Sequence, residues 1–222
     1  MCGRFAFYSP AEAVTKYFGV ADALEIVARY NIAPTQSIPV VRDVDGTNVL
    51  SMLHWGLVPF WAKEKAIGNR MINARAETVS EKPAYRAAFR RRRCLIPATG
   101  FYEWKKVADG KQPFLIAMRD ERPFAFAGLW ETWKNEDPDN PLESCVIVTT
   151  NPNEQLNDLH NRMPVILRQQ DHDTWLRASP DDAATLMQPY PDDDLVAWPV
   201  SKRVNSPKNE GRELIEKTGP QG

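Results

Sequence analysis

Cysteine and histidine are both scarce in this chain, three of each in 222 residues. Cys2, Cys94 and Cys145 are an odd number with no paired spacing, which argues against a disulfide framework; with so few histidines a zinc site is disfavoured too. No metal or other cofactor is expected. Net charge is nearly absent, −1 at pH 7. No apolar stretch approaches the roughly 20 residues that span a bilayer, and the N-terminus has no basic region followed by an apolar run. The expectation is a soluble, cytoplasmic monomer with no membrane partner. Internal repeats, low-complexity tracts and interdomain linkers are also missing, so one domain is expected over residues 1–217, with a disordered tail over 218–222.

The small net charge conceals an uneven distribution. Residues 62–118 carry 13 Lys and Arg against 5 Asp and Glu, whereas residues 119–200 carry 6 against 16. Such a division is compatible with a basic face and equally with solvated surfaces that happen to cluster.

What is present reads as many short strands with scattered helices. Ser9-Pro10-Ala11-Glu12 has the form of a helix start with Ser9 as N-cap, and Gly19 can end that helix. Residues 38–42 and 49–55 flank Asp45-Gly46, a hairpin turn. A helix through Tyr85 and Phe89 is expected to end in the cations Arg90 to Arg93, suited to helix-end solvation or to extending a phosphate path. Strand candidates follow at 94–97, 101–107, 112–118, 124–130, 144–150, 163–167 and 195–200, with Asp109-Gly110 as a second turn. Asn151-Pro152-Asn153-Glu154 and Ser179-Pro180-Asp181-Asp182 open further short helices. The fold class predicted is α+β: a strongly bent antiparallel sheet or open β-barrel with flanking short helices.

Reactive side chains gather in four islands, residues 1–5, 73–77, 100–104 and 159–164. A small residue after Met1 favours removal of that methionine. Cys2 would then begin the chain with α-amine and thiol on adjacent carbons, a 1,2-aminothiol. Each island alone has a plainer reading: Cys2 as a small residue near an end, Asn73 and Arg75 as solvated residues sharing one strand face, Glu103 as an exposed strand residue, and His160 as a hydrogen-bonded structural histidine.

Taken together and in order, the islands resemble the SOS-response-associated peptidase (SRAP) family, the abasic-site processing proteins. The resemblance runs through Met1-Cys2-Gly3-Arg4-Phe5, Tyr30-Asn31-Ile32-Ala33-Pro34-Thr35, His54-Trp55-Gly56-Leu57-Val58-Pro59, Ile72-Asn73-Ala74-Arg75-Ala76-Glu77-Thr78, Gly100-Phe101-Tyr102-Glu103-Trp104, His160-Asn161-Arg162-Met163-Pro164-Val165, and Val200-Ser201 with Val204-Asn205. It implies covalent capture of abasic sites in single-stranded DNA, including sites at single-strand/double-strand junctions. It also implies that Cys2, Asn73, Glu103 and His160 are the catalytic residues. The α-amine would attack the ring-opened sugar aldehyde and the thiol would close a five-membered thiazolidine. His160 suits proton transfer at the sugar, Glu103 suits proton acceptance, and Asn73 suits orientation without charge.

Arg4, Arg75 and Arg162 are candidates for bidentate phosphate contacts, or alternatively for ion pairs with residues such as Glu77. Trp55, Trp61 and Trp104 are candidates for base stacking or for core packing. By the same resemblance Pro34 lies on a loop against the DNA. Two rival classes begin from other premises: an N-terminal-nucleophile amidohydrolase, because Met-Cys-Gly also opens glutamine amidotransferase domains, and a noncatalytic single-stranded DNA-binding module in which Cys2 is incidental.

Overall fold

The computed structural model describes residues 2–21, 26–134 and 139–219. Met1, expected from the sequence to be removed, and the last residues of the tail, 220–222, lie outside the described residues. In chain order the strands are β1 (Phe5–Phe7), β2 (Arg29–Ile32), β3 (Ser37–Val44), β4 (Thr47–Trp55), β5 (Asn73–Arg75), β6 (Arg93–Ala98), β7 (Gly100–Val107), β8 (Gly110–Met118), β9 (Phe124–Trp133), β10 (Leu142–Thr150), β11 (Met163–Pro164), β12 (Ile166–Leu167) and β13 (Leu195–Pro199). The helices α1 (Ala11–Phe18), α2 (Arg86–Arg91), α3 (Glu154–Asn157), α4 (His172–Arg177) and α5 (Pro180–Thr185) are short. The α+β class is as expected from the sequence.

Pairing divides the strands into two sheets. One runs β13-β8-β7-β1-β2, all antiparallel. In the other, β4, β3, β6, β9 and β10 pair in succession, and β10 returns to β4 through the parallel partners Ser144–His54 and Cys145–Trp55. A ring of pairings thus closes a barrel, which leaves its five strands no free edge along that path. The barrel closes where an open one was equally expected, because β4 and β10, 90 residues apart in sequence at His54 and Ser144, meet in parallel.

Beyond Cys145, β10 changes neighbours. β5 takes over one side, pairing Ile147 with Asn73 and Thr149 with Arg75, and β11 takes the other, pairing Thr149 with Pro164 and Thr150 with Met163. This handover brings two sequence islands 82–91 residues apart to one end of the same strand.

The core is aromatic at the point where the N-terminus enters. Phe5 packs edge-on against Trp55, centroids 5.3 Å apart, and against Phe126 at 5.8 Å; Phe126 contacts Phe101 and Phe124 in turn. Such contacts fix the chain three residues after Cys2. A smaller cluster of Ala6, Tyr102, Leu115, Val200 and Val204 seats the C-terminal segment on the other face of β1 and β7.

Local signals held where backbone chemistry dictates them. Asp45 (φ 49°) and Gly46 (φ 82°) form the two-residue turn between β3 and β4, in the positive-φ pair that a right-twisted hairpin favours. Asn153 and Ser179 cap α3 and α5, accepting from Leu156 N–H and Asp182 N–H. Ser9 does not cap α1. Its hydroxyl is buried against Thr99 Oγ1 at 2.9 Å, tying the chain after β1 to the β6–β7 junction, and the N-cap position falls to Pro10. The second hairpin turns on Ala108-Asp109, because Gly110 already pairs with Val107. Within the arginine run, only Arg90 and Arg91 end the helix as solvated cations. Arg93 is buried and donates to the carbonyls of Phe89, Trp175 and Ala178, gathering the C-terminal ends of α2 and α4. Thr218 is not loose: its N–H and hydroxyl both donate to the Pro199 carbonyl.

Candidate active site

Two pieces of backbone converge on Cys2. The residues before β1 run alongside β7, where Tyr102 N–H donates to the Arg4 carbonyl at 2.9 Å and Phe5 pairs with Phe101. Continuing that antiparallel register sets Glu103 opposite Gly3, next to Cys2. From β5, Asn73 Nδ2 donates to the Cys2 carbonyl at 2.9 Å. From the loop between α3 and β11, His160 lies beside the end of β10 and, like Glu103, feels the charge of Lys111.

Each side chain is held by local structure. Asn73 follows Ile72, whose carbonyl accepts both Trp55 Nε1–H at 3.0 Å and Ile147 N–H at 3.2 Å, and the Tyr85 hydroxyl donates to Asn73's own carbonyl at 3.4 Å. Asn73 Oδ1 is buried and accepts from no group among the described residues, so a buried acceptor is left facing the Cys2 centre. His160 N–H donates to the Leu156 carbonyl, and Arg162 N–H donates to His160 Nδ1 at 3.1 Å. The Arg162 carbonyl lies 3.3 Å from the same nitrogen, which can serve only one of the two; with the shorter contact from Arg162 N–H kept, Nδ1 accepts and the neutral imidazole carries its proton on Nε2.

Burial sets the protonation. Glu103 is only 4% exposed, and desolvation pushes its carboxyl up to about 6, partly opposed by a hydrogen bond from the Trp104 backbone and, less, by the charge of Lys111. The Cys2 thiol is fully buried; desolvation first, and the Glu103 charge second, push it far above the ordinary thiol range, so it stays protonated. Burial, aided by Lys111, pulls His160 below the ordinary imidazole value and keeps it neutral near pH 7. The site therefore holds a neutral thiol, a neutral imidazole and a carboxyl poised near cellular pH, a set suited to proton transfer.

The other sequence candidates separate. Arg75 is exposed on β5 beside Asn73 and has no ion pair among the described residues, so its guanidinium faces solvent. Trp61 is 49% exposed at a loop tip. Pro34 is half-buried in the loop before β3, held by Thr35 N–H donating to the Trp55 carbonyl at 2.8 Å. Trp104 is half-buried, its Nε1–H donating to Asn205 Oδ1 at 2.8 Å.

Three candidates are spent on the fold. Trp55 is fully buried beneath Phe5, and a ring with no accessible face cannot stack on a base. Arg4 Nη1 donates to Asn31 Oδ1 and to the Val204 carbonyl, both at 2.8 Å, tying β2 and the C-terminal segment to the N-terminus rather than forking onto a phosphate. Arg162 forks instead onto both carboxylate oxygens of Glu77 and also reaches Asn151 Oδ1 and the Thr149 carbonyl, which leaves its side chain 12% exposed.

Sequence reading missed Lys111 and Tyr85. The Lys111 charge bears on Glu103 and His160 because the β7–β8 hairpin pairs Lys111 with Lys106, and the Tyr85 hydroxyl comes to the Asn73 carbonyl because the chain before α2 meets β5 there. The first could have been sought from the hairpin register; the second had no local signal. Among the described residues no group of three or more His, Cys, Asp or Glu is placed to hold a metal ion, and no helix is long and apolar enough to cross a membrane.

Comparisons with known proteins bear on the family and the fold. The sequence profile of the SOS response associated peptidase (SRAP) family matches residues 1–207. The abasic site processing protein YoqW of Bacillus subtilis is 46% identical over 223 residues, covering 97% of this chain and 99% of YoqW. The abasic site processing protein YedK of Escherichia coli is 30% identical with 97% and 99% coverage, and HMCES of Xenopus tropicalis is 30% identical over 86% of this chain and 68% of HMCES. Among solved structures, a protein from Bacteroides thetaiotaomicron superposes with a TM-score of 0.87 at 26% identity, covering 98% of this chain and 100% of that one. A phage-related protein from Bordetella bronchiseptica gives 0.73 at 28% identity, with 90% and 95% coverage.

Proposed function

This chain belongs to the SOS response associated peptidase (SRAP) family, and we propose that it processes abasic sites by capturing the lesion covalently in single-stranded DNA through Cys2. One observation carries the reading: Asn73 holds the carbonyl of Cys2 at 2.9 Å while its own Oδ1 is left buried and unpartnered among the described residues. Fixing the carbonyl of residue 2 aims the nitrogen of the same residue. That is of use when the nitrogen itself reacts, which requires Met1 to have been removed.

The reaction follows from the groups present. An abasic sugar equilibrates between a closed hemiacetal and an open aldehyde. His160, neutral with its proton on Nε2, donates to the ring oxygen as the ring opens. The free amine of Cys2 adds to the aldehyde carbon and one water leaves, giving an imine. The thiol then adds across the C=N bond: sulfur bonds to carbon, and the proton from sulfur ends on nitrogen. Because burial keeps the thiol protonated, that step needs a base, and Glu103 with its carboxyl near 6 supplies one. The product is a thiazolidine, formed with net loss of one water. Asn73 Oδ1 accepts from the amine or a sugar hydroxyl. Arg75 offers a phosphate contact, and Trp61 and Trp104 offer stacking surfaces. The only peptide-bond cleavage in this reading is removal of Met1.

Mixing purified protein with single-stranded DNA carrying one abasic site, without borohydride, and separating the products under denaturing conditions tests the proposal. A heat-stable adduct that disappears in Cys2→Ala is expected. Glutamine hydrolysis without an adduct would favour the amidohydrolase reading, and reversible binding indifferent to Cys2→Ala would favour a noncatalytic binding module.

A further inference from the structure

Between β4 and β5 the chain makes a loop, residues 57–70, whose tip exposes the rings of Phe60 and Trp61. Its neck is closed by backbone against backbone. A Cβ on Gly56, where φ is 136°, would stand 2.7 Å from the Gly68 carbonyl oxygen; a Cβ on Gly68 would stand 2.6 Å from the Gly56 carbonyl oxygen. No side-chain rotation relieves either contact, so only glycine fits at both positions. Gly56 N–H donates to the Cys145 carbonyl at 2.9 Å, Val58 N–H to Ser144 Oγ at 2.9 Å, and Leu57 N–H to the Met71 carbonyl at 3.1 Å. Farther out, Trp133 Nε1–H donates to the Ala62 carbonyl at 2.7 Å. The loop is thus held at both neck and tip. Beside Trp61 lies a hollow of about 340 Å³ lined by Lys63, Glu64, Ile67 and Arg70, and an aromatic face whose flanking side chains carry two cations against one carboxylate suits a nucleotide.

Strand register gives the position of this tip relative to the chemistry. Trp133, which holds the tip, pairs with Leu142 at the start of β10, whereas Asn73 pairs with Ile147. Five residues of strand separate the two, about 16 Å at roughly 3.3 Å per residue. Trp61 therefore stands against a flanking nucleotide farther along the strand, not against the captured sugar.

Building on the covalent-capture reading, we propose that Gly56 and Gly68 are positioning residues: their backbone contact sets the spacing between the Trp61 platform and the Cys2 centre. A side chain at either position pushes the platform out of register with the DNA while leaving Cys2, Glu103 and His160 untouched.

The test measures crosslinking rate against DNA concentration, using oligonucleotides trimmed one nucleotide at a time on either side of the abasic site. For the unmodified sequence the half-saturating concentration should rise when trimming on one side removes the nucleotide under Trp61, with little change in maximal rate. Gly68→Ala should raise it for untrimmed DNA by about 10-fold, the scale of one lost base–aromatic stack, and should abolish the trimming response. Its maximal rate should stay within about 2-fold, since stacking on a flanking base is not itself part of the bond-making step. Trp61→Ala, at an exposed position that does not threaten folding, should show the same flat profile. Gly46→Ala strains a distant turn with open space around it and should keep the normal profile. A normal trimming profile in Gly68→Ala or in Trp61→Ala overturns the proposal. Absence of any adduct in the unmodified protein would instead overturn the capture reading on which it rests.

Discussion

At Glu103 function and stability pull in opposite directions. The carboxyl is almost completely buried and raised from 4.5 to about 6, so the folded state resists its ionisation. The contribution to stability is fully present below pH 4.5 and is lost as pH rises through about 6. Glu103→Gln should therefore stabilise the protein at pH 7 by about 1–2 kcal/mol and leave it unchanged near pH 4, measured by denaturant titration at both pH values. The same variant should slow crosslinking or its reversal, because the base is gone. The arginines divide in a comparable way. Arg75→Ala should lower the dependence of log affinity on log salt for single-stranded DNA by about 0.7, one phosphate contact, with no change in thermal midpoint. Arg162→Ala should lower the thermal midpoint, since Glu77, Asn151 and the Thr149 carbonyl lose their partner, a cost of about 2 kcal/mol. Cys2, Asn73, Glu103 and His160 were singled out in the sequence only as members of an ordered motif set; the hydrogen bond from Asn73 to the Cys2 carbonyl is what the structure adds. Arg4, Trp55 and Arg162 were open to two readings, because residue type alone does not say whether a guanidinium or an indole is spent on the fold.

Among the elements, α4 packs against α1 through a histidine. His172 stacks on Phe18, centroids 5.6 Å apart and nearly parallel, and meets Tyr17 edge-on; its Nε2 is buried without a hydrogen-bond partner among the described residues. Burial lowers it from 6.5 to about 4. The unfolded chain binds the proton first, so stability is lost as pH falls from about 6.5 toward 4. His172→Phe keeps the ring and removes the titration, and its acid-unfolding midpoint should move to lower pH. An unchanged midpoint would mean that other groups govern the acid limb. Helix caps at Asn153 and Ser179 and the Asp45-Gly46 turn were legible because backbone geometry within four residues dictates them. Ser9 was misread because a serine before a helix has two uses, and the hydroxyl of Thr99, 90 residues away, claimed it. The parallel closure of β4 on β10 had no sequence signal at all: two strands with several others between them leave no local mark of their register.

In the whole molecule, barrel and candidate site share one device, the change of neighbours along β10. The same strand that closes the barrel near Cys145 gathers β5 and β11 beyond Ile147, and with them Asn73 and the loop carrying His160. The N-terminus is delivered to that end by Phe5 in the core and by Tyr102 in β7, so residue 2 is fixed by the fold although it stands next to a chain end. The central claim is that amine and thiol of this one residue react in turn with one aldehyde. Mass spectrometry of the tryptic Cys2-Gly3-Arg4 peptide, after reaction with abasic single-stranded DNA and nuclease trimming, tests it most directly. The account expects that peptide to lack Met1, to carry the sugar with net loss of one water, to gain no hydrogen from borohydride and to resist thiol alkylation. A sugar attached to a lysine elsewhere, or a Cys2 adduct whose thiol still alkylates, would contradict it.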